Sequence, residues 1–243
     1  MKRCRLDNLL VEREFFESRE KAQRAIMAGE VRLEGRSNLK PGTFVSADAA
    51  VEIVIRERYV GRGGIKLEAA LSHFNINVQH KICFDIGSST GGFTDCLLRH
   101  GACRVHAVDV GRGQLHWSLR KDPRVIIHEG INARYLTVAE FGEHPEIGVI
   151  DVSFISLTLI LPASFGLLHE TGCMIALIKP QFELDRKRVG KGGIVRDGDA
   201  HQEAIEKIQT FARDVLQAHW GGVMESPITG ASGNKEFLAF LRP

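Results

Sequence analysis

The 243-residue chain has no run of about 18 consecutive apolar residues, so nothing in it reads as a membrane span. Its first residues, Met1-Lys2-Arg3-Cys4-Arg5, are basic, but no apolar core of signal-peptide length follows them. C-x-x-C pairs are missing as well. The five cysteines, Cys4, Cys83, Cys96, Cys103 and Cys173, are odd in number and lack metal spacing, which argues for reduced thiols and against a disulfide framework or a metal centre. No low-complexity run interrupts a composition that is 44% hydrophobic and 26% charged. Such a chain can bury one sizeable domain plus a small one. These absences together predict a soluble, cytoplasmic protein with no bound metal and no membrane partner; they do not set an oligomeric state.

The formal net charge of +2 conceals an asymmetry. Residues 1–66 carry 14 Lys and Arg against 10 Asp and Glu, whereas the remaining 177 carry 18 against 20. A positive excess on a small N-terminal unit points to an anionic partner. Leu6, Leu9 and Leu10 recur at helical spacing, and Ser18 reads as the N-cap of a second helix through Ala22, Ala25 and Ile26. Lys21 stands where a capping box would have an acid, so half of that signature is absent. Gly29 stops the helix, Val31 and Leu33 begin a strand, Pro41-Gly42 turns the chain, and 51–55 alternates as another strand.

On the residues Arg5-Leu6-Asp7, Ser18-Arg19-Glu20-Lys21-Ala22, Ile26-Met27-Ala28-Gly29-Glu30-Val31 and Lys40-Pro41-Gly42, residues 1–58 resemble the ribosomal-protein-S4-type RNA-binding domain. The resemblance implies that Arg5, Arg19, Lys21 and Arg24 lie near structured RNA and contact mainly phosphate. Beyond it, 56–65 is charged and glycine-rich, and Gly61, Gly63 and Gly64 predict a tight turn or hinge over 59–65. Lys66 then opens a helix through Leu67, Ala70, Leu71 and Phe74.

From residue 81 strand and helix signals alternate, which predicts a mostly parallel sheet covered by helices on both faces. The expected strands are 82–86, 104–108, 125–128, 148–151, 173–178, 219–225 and 237–241, the last two a candidate antiparallel pair. Helices are expected over 94–100, 115–121, 156–168 and 200–217, with Pro162 forcing a kink or a late start in the third. The fold class is therefore α/β, a seven-stranded Rossmann-like sheet of the methyltransferase type, after a small α+β module.

The most telling stretch is Asp85 to Phe93, D-I-G-S-S-T-G-G-F, a strand end that turns into a helix. Its glycines do not have the G-x-G-x-x-G spacing that brings backbone amides onto a pyrophosphate, which disfavours a dehydrogenase. A carboxylate before the first glycine suits a cationic cofactor with an amino-acid tail, and S-adenosylmethionine fits that description. Asp85, Gly87, Ser89, Gly91, Gly92 and Phe93 would line its pocket. Asp109, ending the next strand, would accept hydrogen bonds from ribose hydroxyls, or else caps the turn at Gly111; Asn132 would lie by adenine, though Asn is common in any loop. Asp151 and Lys179 end the fourth and fifth strands and so point an acid and a lysine into one cleft.

The chain as a whole resembles the hemolysin-A-like (TlyA) ribosomal RNA methyltransferases, within the FtsJ-like family of 2′-O-ribose methyltransferases. Tyr59-Val60-Gly61-Arg62-Gly63-Gly64-Ile65-Lys66-Leu67, D-I-G-S-S-T-G-G-F, Asp151-Val152-Ser153-Phe154-Ile155-Ser156, Leu177-Ile178-Lys179-Pro180-Gln181-Phe182-Glu183 and Gly233-Asn234-Lys235-Glu236-Phe237 carry it. Gly61, where relatives often have serine, is a departure outside the catalytic set. The resemblance implies a catalytic domain over 66–243, a tetrad of Lys66, Asp151, Lys179 and Glu236, and cytidine 2′-hydroxyls of ribosomal RNA or ribosomal subunits as target. Lys179 is the candidate general base, Lys66 a second cation that would hold phosphate or hydroxyl, and Asp151 and Glu236 orienting groups; the pattern does not assign the base. Arg62 and the glycine-rich basic loop holding Arg186, Lys187, Arg188 and Lys191 are further candidate RNA contacts. A non-catalytic RNA-binding or ribosome assembly factor, and a membrane-lytic hemolysin, are the rival readings; the second lacks any span or strongly amphipathic lytic helix.

Overall fold

The computed structural model describes residues 3–27, 29–34, 39–53, 58–230 and 232–243, and it divides into two units, Met1–Glu57 and Arg58–Pro243. In the first, β1 (Arg3–Arg5) leads into α1 (Leu6–Glu12), followed by α2 (Arg19–Met27), β2 (Val31–Leu33), β3 (Phe44–Ser46) and β4 (Val51–Ile53). Leu6, Leu9, Leu10, Ala22, Ala25 and Ile26 face each other between the helices and pack with Val31 and Val45. The expected Ser18 cap is present, its Oγ accepting from Lys21 N at 3.3 Å. Two antiparallel pairs form, β1 with β3 and β2 with β4, where the sequence predicts only two strands. The missed strands are three residues each, too short to show alternation. The end of the strand expected over 51–55, the first two residues of 56–65, and Ala28 fall outside the described residues.

The second unit opens with α3 (Gly63–His73) and continues β5 (Ile82–Ile86), α4 (Gly92–Arg99), β6 (Arg104–Asp109), α5 (Trp117–Arg120), β7 (Val125–Glu129), α6 (Val138–Phe141), β8 (Ile147–Ile150) and α7 (Leu161–Leu167). It closes with β9 (Cys173–Ile178), α8 (Pro180–Glu183), α9 (Gly198–Asp214), β10 (His219–Glu225) and β11 (Phe237–Arg242). The seven strands lie in the order β10-β11-β9-β8-β5-β6-β7. Only β11 runs against its neighbours. Alternate residues of the central strands feed two cores: Phe84, Ile86, Ile150, Met174 and Ala176 on one face, and Cys83, Ile147, Val149, Ile175 and Leu177 on the other. Burial on both faces explains why these strands read as continuous apolar runs.

Several boundaries depart from expectation. The helix expected over 115–121 shrinks to Trp117–Arg120, because Pro123 disfavours helical backbone at Asp122. The 156–168 helix splits into a 3-10 turn, Leu157–Leu159, and α7 with Pro162 in its first turn. Of the two readings of 59–65 the structure has the tight turn: Tyr59 is buried, Val60 N donates to Asp95 Oδ2 at 2.9 Å, Gly64 N donates to Gly61 O at 3.2 Å, and α3 begins three residues before Lys66. Among the described residues no helix is long and apolar enough to cross a membrane.

Candidate active site

The loops after β5, β6, β8 and β9 all leave the same edge of the sheet, as ligand-binding loops do in open parallel sheets. Asp85 lies inside β5 rather than closing it, and it is completely buried. Its Oδ2 accepts from Thr94 N at 2.9 Å and Thr94 Oγ1 at 2.7 Å, so the carboxylate pins the first turn of α4. Its Oδ1 has no hydrogen-bond partner. Burial raises the carboxyl to about 7; the Thr94 hydroxyl opposes this and the charge of Asp151 adds to it. The Oδ1 oxygen has no donor, and Asp85 lines a hollow of about 210 Å³ with Gly87, Ser88, Ser89, Gly92 and Phe93, where the lining cation, Lys179, is held by Asp151 and Ser153. The ammonium of an amino-acid tail matches that deficit. Gly87 has φ +83°, and a Cβ there would collide with the carbonyl oxygen of Asp151, so the β5 and β8 loops meet backbone to backbone. At Gly91, φ +97°, a Cβ would run into Leu115 and Leu119.

Asp109 ends β6, where it accepts from Ser89 N through Oδ2 and from Gly111 N through Oδ1, both at 2.7 Å. It thus does cap the Gly111 turn, and each oxygen keeps a second lone pair. With Val110, Gln114, Asn132, Val152 and Phe154 it lines a hollow of about 520 Å³. Asn132 also caps the following 3-10 turn, its Oδ1 accepting from Arg134 N at 3.1 Å.

The four residues of the tetrad come from α3, the β8 and β9 ends and the approach to β11, and they line one cavity of about 420 Å³. They form two ion pairs. Lys66 Nζ lies 2.5 Å from Glu236 Oε2, with both residues buried. Lys179 Nζ lies 2.6 Å from Asp151 Oδ1 and donates to Ser153 Oγ at 2.9 Å. Asp151 and Ser153 also line both hollows beside the glycine turn, so one wall separates the two halves of the site.

Other residues shaping this cavity carry weaker sequence signals. Ser153 holds Lys179, and Gly230 leaves room for the Glu236 carboxylate where a Cβ would overlap it. Glu183 is buried at the end of α8 and accepts from Leu157 N at 2.8 Å and Ser156 Oγ at 2.5 Å, tying the β8 loop to the β9 loop. Phe154 is 91% exposed at φ +64°, an uncommon backbone for a bulky residue, with its ring 5.1 Å from that of Phe182. In sequence, Ser153, Phe154 and Glu183 are marked only by their place in short motifs, and Gly230 by none.

The candidate RNA contacts separate by environment. Arg5 and Arg19 both bond to Asp7, which is fully buried and also accepts from Gln23 at 2.7 Å. Lys21 pairs with Glu17 and Arg24 with Glu20, all on the exposed surface. Arg62 donates to Thr229 O at 2.8 Å, and Arg188 pairs with Glu203 and Asp197. Arg186, Lys187 and Lys191 are exposed. Among the described residues no cluster of three or more His, Cys, Asp or Glu is placed to hold a metal.

Residues 59–242 match the FtsJ-like methyltransferase family and residues 4–51 match the S4 domain. The chain is 50% identical over 243 residues to a Bacillus subtilis protein provisionally named as the rRNA methyltransferase YqxC, covering 99% of the chain and 86% of that protein. It is 43% identical to the 16S/23S rRNA (cytidine-2′-O)-methyltransferase TlyA of Mycobacterium tuberculosis, over 99% of the chain and 90% of that protein. A solved structure from Streptococcus thermophilus, provisionally called a hemolysin, superposes with a TM-score of 0.75 at 45% identity, covering 99% of this chain and 88% of that one.

Proposed function

The chain belongs to the FtsJ-like methyltransferase family, and from that premise we propose that it methylates a cytidine ribose 2′-hydroxyl of ribosomal RNA with S-adenosylmethionine as donor. The observation that carries the reading is the convergence of Lys66, Asp151, Lys179 and Glu236 on one cavity that shares Asp151 and Ser153 with the cofactor hollows. The activity for which the 43% identical Mycobacterium tuberculosis relative is named supports the cytidine and the ribosomal substrate. The S4 match supports RNA as the polymer that the first unit binds.

In this reading Asp85 Oδ1 receives the cofactor's ammonium, Gly87 admits its tail, and Asp109 and Asn132 bracket the hollow for its nucleoside. The cofactor supplies an electrophilic methyl on a sulfonium and its own leaving thioether, which leaves the chain to position the oxygen and remove a proton. Acting as base, the Lys179 amine has two N–H donors and one lone pair. The donors go to Asp151 and Ser153, which leaves the lone pair for the acceptor hydroxyl. The hydroxyl proton passes to that lone pair as the oxygen takes the methyl and the thioether leaves, and the resulting ammonium stays paired with Asp151. Lys66, locked by Glu236, fixes the ribose or its phosphate. The exposed Phe154 ring offers a stacking face for a base turned out of its helix, which a ribose must be to enter such a cavity. Exposed Lys21 and Arg24 contact phosphate, while Arg5 and Arg19 keep guanidinium donors free beyond those held by Asp7.

The test is methyl transfer to purified bacterial ribosomal subunits, with 2′-O-methyl positions mapped. Wild-type protein should add methyl groups to cytidines; Lys179→Ala should add none while binding the cofactor within about twofold of wild type. Turnover by Lys179→Ala, or methylation of bases only, overturns the assignment.

A further inference from the structure

Eight large apolar side chains of the second unit stand exposed among the described residues, and five of them, Val110, Trp117, Tyr135, Phe154 and Leu159, follow the ends of β6, β7 and β8 on the cofactor edge of the sheet. Trp117 is 65% exposed and Tyr135 is 72% exposed. Neither belongs to the cofactor hollows or the tetrad cavity. Exposed aromatics gathered at one edge mark an interaction surface rather than a core.

Their neighbours say what the surface takes. Lys121 Nζ sits 5.1 Å from the centre of the Trp117 ring, and Arg134 Cζ sits 6.0 Å from that of Tyr135. Residues 110–135 carry five Lys and Arg against two Asp and Glu, a local +3 within a unit that is otherwise acidic. Both acids are consumed, Asp122 by Arg124 at 2.7 Å and Glu129 by Arg120 at 2.5 Å. Among the described residues, Arg112, Lys121 and Arg134 have no carboxylate within ion-pair distance and are exposed. Aromatic faces alternating with unpaired cations suit an unpaired nucleic acid strand: bases stack on the rings and phosphates meet the cations. A protein interface is depleted of charge at its centre and of lysine throughout, whereas here Lys121 and Arg134 stand directly against the rings.

We propose that Trp117 and Tyr135 stack bases of the RNA strand that flanks the target nucleotide, with Arg112, Lys121 and Arg134 on its phosphates. From β8, whose loop carries Phe154, to β7 is three strand spacings, about 14 Å, a span of a few nucleotides leading from the catalytic cavity toward the β7 edge. This inference rests on the reading that RNA is the substrate.

The chain has two tryptophans, so Trp220→Phe leaves Trp117 as the sole reporter. A short unstructured cytidine-rich RNA should quench Trp117 fluorescence in that variant, and the quenching should weaken in Lys121→Gln and Arg134→Gln. The double variant Trp117→Ala, Tyr135→Ala should raise the KM for ribosomal RNA about thirtyfold, the factor for about 2 kcal/mol at roughly one per stacked base. Its kcat and cofactor Kd should stay at wild-type values, and Trp117→Phe, Tyr135→Phe should recover most of the affinity. An unchanged KM, a weakened cofactor Kd, or Trp117 quenched by ribosomal protein but not by RNA overturns the proposal. Should the alanine variant fail to fold, the titration of Trp220→Phe decides alone. Wild-type protein that quenches with RNA but transfers no methyl group to it removes the substrate reading and leaves this surface standing. Methylation without quenching removes the surface alone.

Discussion

Asp85 is where the cost of the site is greatest and most measurable. The carboxyl is fully buried and raised to about 7, chiefly by burial, against about 3.9 in an unfolded chain. A native pKa above the unfolded one means that the unliganded fold is favoured, relative to neutral pH, below about pH 4. That advantage is lost as pH rises toward 7. The rise from about 3.9 to about 7 corresponds to about 4 kcal/mol, the penalty of keeping an ionised oxygen with no partner at pH 8. Asp85→Asn keeps an oxygen for Thr94 and replaces the orphan Oδ1 with a neutral amide. Denaturant unfolding without cofactor should therefore find Asp85→Asn more stable than wild type at pH 8, by up to about 4 kcal/mol, with the difference shrinking toward pH 4.

Cofactor binding should show the opposite preference. An incoming ammonium needs the ionised carboxylate, so below about pH 7 the Kd of wild type should rise close to tenfold per pH unit as Asp85 must first lose its proton. In Asp85→Asn that slope should vanish and the Kd at pH 8 should be weaker by about a hundredfold or more, as for loss of one partner of a buried pair. Calorimetry across about pH 5.5 to 8 reads both. If Asp85→Asn is no more stable at pH 8, or if wild-type affinity is flat across this range, the orphan oxygen is not the cofactor's anchor.

Asp7→Ala should destabilise the first unit by about 2 kcal/mol in thermal unfolding, since one buried carboxylate serves Arg5, Arg19 and Gln23. Those partners hold the native Asp7 carboxyl well below the usual range, so its contribution is present above about pH 4 and lost as pH falls through the depressed native value, which acid titration will show in wild type and not in the variant. Glu183→Gln weakens the tie between the loops of Ser153 and Lys179, and should lower kcat about tenfold with cofactor Kd unchanged; a change confined to KM would refute it. Gly87→Ala forces a Cβ onto the Asp151 carbonyl at positive φ, and should abolish cofactor binding while leaving RNA affinity intact in a filter-binding assay.

Much of this was legible because the central strands are buried on both faces. Residues 173–178, C-M-I-A-L-I, have no polar side to hide, so an apolar run ending in Lys179 reads directly as strand and site. Pairing was not legible. Lys66 and Glu236 are 170 positions apart, and nothing local tells whether Lys179 takes Asp151 or Glu236 as its partner. The Asp7 pairing was hidden for a related reason: a buried carboxylate shared by Arg5 and Arg19 does not show until the helices pack.

The glycines of 61–64 show how one residue type carries two opposite meanings. Read along the chain, three glycines in four residues mean freedom, and hence a hinge or a tight turn. In the fold they mean confinement. A Cβ on Gly61 would press on Thr90, one on Gly63 would come within 3.2 Å of Phe93, and one on Gly64 would overlap Tyr59. Gly92, across from them, would put its own Cβ 3.1 Å from Gly61 O and Gly64 N. The start of α3 and the start of α4 therefore touch through bare backbone, with no side chain between. That contact is what brings Lys66, on the first turns of α3, to the edge where the glycine turn and Asp151 stand. The three glycines of 61–64, closed against Gly92, are the reason the second lysine of the tetrad reaches the cavity at all.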